Sequence, residues 1–301
     1  MSADLEVTRL TAALGAEIRG MELRNLGSEQ VETIRALLQE HLVLFFPGQY
    51  LDIDAHVALG SHFGPLECHP NLDNPFTKHP QIFELAASHG GVADEWHSDI
   101  SFSANPAMLS ILNMIECPEV GGDTMWASTY AAYEALSPPL QDLCQGLTAL
   151  HDATPHGKPE MNAIHPVVRV HPVTGRKALF VNQHFTRRLV ELSHDESELL
   201  LDYLVNWIAN PRFTVRYRWQ KGAIAIWDNR CTQHFVVGDF SGQRVIQRVT
   251  VMGDKPEPAR EAQWEPFVRQ QNVGATSRYD QQLGEALGRR IETLEANRRK
   301  E

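Results

Sequence analysis

A chain of 301 residues, 43% of them hydrophobic, has ordinary globular composition and is large enough for one β-rich domain or two modest ones. Its formal net charge of −11 argues against a general nucleic-acid binder, although a pocket can be locally basic beneath an acidic surface. No apolar run approaches a membrane span, the N-terminus lacks a secretory pattern, and the four cysteines show neither paired nor zinc-type spacing, so the sequence reads as a reduced, cytoplasmic protein with no membrane partner.

Short strands open the chain. A helix follows that Ser28 can cap and that runs to about His41, with Val31, Ile34, Leu37 and Leu38 on one face. The continuous apolar run 42–46, closed by Pro47 and Gly48, reads as a buried strand. Residues 52–63 read as a helix stopped at Gly64 and Pro65. Residues 67–96 are rich in Pro, Asn, Asp, His and Gly and read as a long loop with one strand at 81–85, a common setting for substrate contacts. Candidate strands then recur at 107–116, 124–127, 147–151, 166–170, 178–181, 213–219, 223–227 and 245–252. Helices interrupt them at about 129–145 and 194–208. Many strands, few helices and no strand–helix alternation predict a mainly β fold with flanking helices, a double-sheet jelly roll. Residues 254–258 end the β region. From about 258 to 301 the chain reads as a helical C-terminal extension, with Leu283, Leu287, Ile291 and Leu294 at helical spacing; it docks through that narrow stripe or frays as a tail.

The residues that carry chemistry are His97-Ser98-Asp99 and, far downstream, His234. Two imidazoles and one carboxylate form the protein ligand set of a mononuclear non-haem iron(II) site, with the opposite face of the metal open. On an extended strand, positions on either side of Ser98 point the same way and can converge on one ion. The motif alone is weak, because among 14 histidines roughly one His-x-Asp arises by chance. His234 by itself also fits a structural histidine, just beyond the apolar run 223–227. A zinc hydrolase site would use the same three residues, whereas a non-catalytic cupin-like binding protein would keep the fold without needing all three.

Several further motifs occur together and in order: Phe46-Pro47-Gly48-Gln49, Phe63-Gly64, Trp96-His97-Ser98-Asp99, the run 118–124 ending in Thr124, 132–138, 165–169, Trp227-Asp228-Asn229-Arg230 and Gly253-Asp254. Over about residues 5–255 the chain thereby resembles the taurine dioxygenase/chlorophenoxyacetate dioxygenase (TauD/TfdA) family, nearest its taurine dioxygenase branch. The resemblance implies a double-stranded β-helix, or cupin-like jelly roll, spanning 1–301 as one domain. It also implies iron(II), α-ketoglutarate as co-substrate and dioxygen, and a homo-oligomer, dimer or tetramer. His97, Asp99 and His234 match the iron ligands. Thr124 and Arg244 match the residues that bind the distal carboxylate of the co-substrate, a task suited to a guanidinium fork. His69, the backbone N–H of Ile100 and Arg248 match the groups that bind a substrate sulfonate. The loop between His234 and Arg244 is one residue shorter than in taurine enzymes; alignment through 250–254 assigns Arg244 to the co-substrate and Arg248 to the substrate.

The implied reaction hydroxylates a small sulfonate, taurine or an analogue, and releases sulfite and an aldehyde with succinate and carbon dioxide. Two positions depart from the taurine pattern. Leu72 and Ala93 stand where those enzymes place a tyrosine and an asparagine near the substrate amine, and neither side chain offers a donor or acceptor. Alkyl sulfate and aryloxyalkanoate dioxygenases are therefore the alternatives. The segment 151–165 is short, which implies a small lid.

Overall fold

The computed structural model describes residues 5–68, 79–86, 93–267 and 285–288. The chain opens with β1 (Glu6–Arg9), β2 (Ala16–Arg19), α1 (Ser28–His41), β3 (Val43–Phe46), α2 (Ile53–Ser61) and β4 (Ile82–Ala86). It continues through β5 (Ala107–Glu116), β6 (Thr124–Ser128), α3 (Thr129–Glu134), α4 (Pro138–Gln145), β7 (Thr148–Ala153), β8 (Lys158–Pro166), β9 (Val168–Val170), β10 (Lys177–Leu179) and β11 (Thr186–Leu189). Then come α5 (His194–Ile208), β12 (Thr214–Tyr217), β13 (Ile224–Asp228), β14 (Thr232–Val236), β15 (Val245–Met252) and β16 (Glu257–Pro258).

The main sheet has seven strands in the order β1-β2-β3-β13-β5-β15-β4, all antiparallel except the parallel pair β2–β3. Its two faces follow from the period of two along each strand. On one face Leu44, Phe46, Ile224, Ile226, Leu109 and Ile111 pack against Val31, Ile34 and Leu38 of α1 and Leu59 of α2. On the other, Val43, Phe45, Leu112, Met114, Ala225 and Trp227 meet Trp126, Val215 and Tyr217 from the three-stranded sheet β12-β6-β14. Two more three-stranded sheets, β11-β7-β8 and β10-β9-β16, complete a mainly β double-stranded β-helix. No described helix is long and apolar enough to cross a membrane.

Several local expectations change. Gly27, not Ser28, caps α1, and the Gln30 side chain accepts its N–H at 2.8 Å. The helical stretch 129–145 breaks into α3 and α4, because Pro138 begins a new helix after Ser137. Strands β8, β11 and β14 went unpredicted: β8 and β14 are rich in polar residues and lack apolar alternation, while β11 follows a loop directly. The segment 151–165 is a tight hairpin between β7 and β8, turned through Thr154–His156 and Gly157, whose φ of 70° lies in the left-handed region. The β region does not stop at Asp254, since Glu257 and Pro258 pair with β9. Of the predicted C-terminal helix, residues 285–288 are helical, and Ala286 packs on Leu150 and Val190 with Leu287 beside it. Leu283, Ile291 and Leu294 lie outside the described residues, as do His69 and Leu72.

The helix-covered face holds a titrating group. His56 of α2 is fully buried with Nε2 3.0 Å from the Ile111 carbonyl of β5. Burial lowers its pKa to about 4. The unfolded chain binds a proton at this site near pH 6.5 that the folded chain refuses until about pH 4, so stability is full above 6.5 and declines between the two. The loss from this residue amounts to about 3 kcal/mol. The drop in Tm between pH 7 and pH 4 is expected to be smaller in His56→Gln than in the parent chain; equal drops would show that His56 charges freely in the fold.

Candidate active site

His97 is not in a regular strand. It forms an isolated antiparallel bridge with His234 of β14, and Asp99 begins the turn that follows. The two histidines exchange both backbone hydrogen bonds, His97 N–H to His234 O at 3.1 Å and His234 N–H to His97 O at 2.8 Å. Directly opposed residues present their side chains on one face, so the rings stand 4.0 Å apart between centroids. The turn swings Asp99 beneath them, with Oδ1 4.0 Å from each Nε2. Ile100, next in the turn, has φ of 46°, a conformation costly for a β-branched residue and held here by its surroundings.

Protonation suits a cation at this point. Burial lowers His97 to about 4 and puts His234 well below the usual imidazole value, so both are neutral at pH 7. The His97 Nδ1–H donates to the Glu95 carbonyl at 2.7 Å, which leaves the Nε2 lone pair facing Asp99 and His234. Burial alone would raise Asp99, but the Arg248 guanidinium, His234, His97 and the Ser110 hydroxyl together hold its carboxyl below the usual range. His97, Asp99 and His234 thus place three buried ligand atoms within 4.8 Å of one another, a donor set that fits iron(II).

A second group of the same kind, His171, Asp228 and Cys231, does not fit a metal. His171 Nδ1 accepts from the N–H groups of Val173 and Thr174 at 3.2 Å each, so its proton is on Nε2 and points at Asp228, 3.0 Å away. Arg230 donates to both oxygens of the same carboxylate, at 2.9 and 2.6 Å. Burial raises the Cys231 thiol well above its ordinary value. This cluster folds the turn from β13 into β14. The Asp228 carbonyl also takes the Thr232 hydroxyl at 2.7 Å, and the turn delivers His234 to its bridge.

Two arginines approach from the β15 side. Arg248 donates to Asp99 Oδ1 and lies 5.0 Å from the centre of the Phe83 ring. Arg244, just before the strand, is 4% exposed, and burial lowers it to about 10, so it stays charged at pH 7. Its Nε donates to the Gly122 carbonyl at 3.0 Å and its Nη2 to Thr124 Oγ1 at 3.3 Å. Gly122, at φ of 70°, allows this approach; a Cβ there would lie 3.2 Å from the Arg244 side chain. Trp219 Nε1–H also donates to Thr124 Oγ1, at 2.9 Å. With two N–H groups on its oxygen, Thr124 must direct its own O–H elsewhere. Among the described residues no carboxylate is in ion-pair contact with Arg244. A buried guanidinium with N–H groups to spare, beside a free hydroxyl proton, fits a ligand carboxylate.

The structure therefore brings His97, Asp99, His234 and Arg248 together, with Ile100 next in the turn, and separately joins Arg244 to Thr124, which pairs with Val236 on the strand that carries His234. Sequence reasoning missed Ser110 and Asn229, which touch Asp99, and the ring wall of Phe102, His156, His184 and Phe185 beside His97. His184 in that wall is anchored on Glu95 at 2.5 Å. These contacts join residues far apart in the chain, and only the Trp227-Asp228-Asn229-Arg230 motif hinted at one of them.

The model of the family described as "Taurine catabolism dioxygenase TauD, TfdA family" matches residues 6–250. An alkylsulfatase of Acinetobacter baylyi is 38% identical over 274 residues, 83% of this chain and 86% of the relative. An alpha-ketoglutarate-dependent sulfate ester dioxygenase of Pseudomonas putida is 36% identical over 277 residues, 84% of this chain and 91% of the relative. The crystal structure of a taurine dioxygenase from Burkholderia xenovorans superposes with a TM-score of 0.77 at 35% identity, covering 85% of this chain and 94% of that one. With the metal-fitting triad and the carboxylate-fitting arginine, these similarities place the chain in the TauD/TfdA family as an α-ketoglutarate-dependent dioxygenase that uses iron(II), α-ketoglutarate and dioxygen.

Proposed function

We propose that the chain hydroxylates an organic sulfate ester or sulfonate at the carbon next to the sulfur-bearing group, and that it does not require a free amine on the substrate. The observation that carries this reading is an anion-seeking group without an ammonium-seeking one. Arg248 and the turn at Ile100 flank the triad, whereas Ala93 has no polar side chain and its carbonyl already accepts the Val236 N–H at 2.9 Å. The names of two relatives, an alkylsulfatase and a sulfate ester dioxygenase, support the same substrate class.

In this reading His97, Asp99 and His234 hold iron(II), which when bound supplies oxygen activation coupled to decarboxylation of the co-substrate. Arg244 and the Thr124 hydroxyl grip the distal carboxylate of α-ketoglutarate. Arg248, the Ile100 N–H and His69 hold the sulfate or sulfonate, so that the adjacent C–H bond is presented to the open side of the metal. Phe102 and Phe185 keep water from that side. The hydroxylated product collapses to an aldehyde and sulfate or sulfite, while the co-substrate leaves as succinate and carbon dioxide.

His97→Ala, Asp99→Ala and His234→Ala are each expected to abolish iron-dependent succinate formation while circular dichroism stays that of the parent; near-normal turnover in any one removes that residue from the ligand set. Arg244→Ala is expected to raise the KM for α-ketoglutarate far more than that for substrate, and Arg248→Ala to do the reverse. Each loses a charge-assisted contact typically worth about 2–4 kcal/mol. If the two selectivities are exchanged, so are the two roles. Finally, hexyl sulfate and ethanesulfonate should match or exceed taurine in kcat/KM, because an ammonium against an apolar wall loses hydrogen bonds. A large preference for taurine would contradict the proposed substrate class.

A further inference from the structure

Asp99 has two oxygens, and they meet different surroundings. Oδ1 faces the two imidazoles at 4.0 Å and accepts from the Arg248 guanidinium, while Oδ2 accepts the hydroxyl of Ser110, in the middle of β5, at 2.6 Å. Ser110 Oγ in turn accepts from Asn229 Nδ2 at 2.8 Å. Asn229 Oδ1 accepts from the indole Nε1–H of Trp227 at 3.0 Å and, closing the circuit, from the backbone N–H of Asp99 at 3.2 Å. Trp227 and Ser110 are fully buried, and Asn229 and Asp99 are 2% and 3% exposed, so no water competes for these groups.

The direction of every bond follows from one fact. An indole N–H can only donate, so Asn229 must turn its carbonyl oxygen to Trp227 and its amide NH₂ to Ser110. Ser110, receiving that N–H on its oxygen, sends its own proton to Asp99. The carboxylate therefore accepts at Oδ2, which pins that oxygen on the Ser110 side and sets the plane of the carboxylate, with Oδ1 toward the imidazoles.

We propose that Trp227, Asn229 and Ser110 form a positioning relay that holds Oδ2 of Asp99 and so orients Oδ1 toward the metal position. The three residues act through Asp99, by the hydrogen bonds that join them to it. The inference rests on the metal-site reading above and assigns a role to two side chains, Ser110 and Asn229, that the triad does not include. Without the Ser110 hydroxyl the carboxylate can rotate and offer either oxygen, or both, and the preorganised site is lost.

The test is titration of the metal-free protein with manganese(II), followed by calorimetry, which needs no turnover. Ser110→Ala is expected to weaken manganese binding about 10- to 100-fold. Ser110→Thr, which restores the hydroxyl, is expected to return the affinity to within a few-fold of the parent. Asn229→Asp, which replaces the donating amide by an acceptor, should weaken binding at least as much as Ser110→Ala. Manganese affinity unchanged in Ser110→Ala, or equal losses in Ser110→Ala and Ser110→Thr, would overturn the relay, and this pair decides the matter even if Asn229→Asp fails to fold. His234→Ala separates the two levels of the account. If it binds manganese as the parent does, the metal site itself is wrong; if it loses the metal while Ser110→Ala does not, only the relay fails.

Discussion

A carboxylate buried between two β-sheets must be compensated, and the way Asp99 is compensated organises this site. Left alone, burial would favour its protonated form, a far poorer ligand for a divalent cation. Two donors meet at its two oxygens, the Arg248 guanidinium at Oδ1 and the Ser110 hydroxyl at Oδ2, and the two imidazoles face Oδ1. Each comes from a different part of the chain. Arg248 is on β15, Ser110 on β5, and His234 reaches the site only because the Asp228–Arg230–His171 cluster turns β13 into β14.

Charge is divided along β15 in a way that suits two anionic ligands. Arg248, within the strand, stands at the metal-fitting triad, while Arg244, just before it, turns to the β6 side and rests on Gly122 and Thr124. The main sheet irregularity between Val245 and Ile246 lies between the two. In the proposed reading the co-substrate carboxylate goes to Arg244 and the substrate anion to Arg248, so the two ligands would not share a guanidinium. The acidic net charge of the chain does not oppose this, since Arg244 is buried, Arg248 is half-buried and both act at short range.

Much of this was legible in the sequence for physical reasons. The strands of the main sheet are apolar on one or both faces, and runs such as 42–46 and 223–227 announce burial directly. His97 and Asp99 are readable because their spacing is local, although the structure uses a bridge and a turn where an extended strand was expected. What the sequence hid depends on distance or on polarity. Strand β14 is buried yet carries Thr232, Gln233 and His234, so its hydrophobic pattern is blank. Ser110 sits in an apolar strand as a small polar interruption, and its partner Asn229 is 119 positions away. The ring wall of His156, His184 and Phe185 comes from two separate hairpin and loop segments that nothing in the linear pattern connects.

The most direct measurement adds iron(II) and α-ketoglutarate to the metal-free protein under anaerobic conditions and records the visible spectrum. Chelation of the co-substrate to an iron held by His97, Asp99 and His234 gives a weak charge-transfer band that neither component produces alone. The account predicts that band in the parent chain, its loss in His234→Ala, and a requirement for higher α-ketoglutarate in Arg244→Ala. A parent chain that binds iron(II) and shows no band at saturating α-ketoglutarate would contradict it.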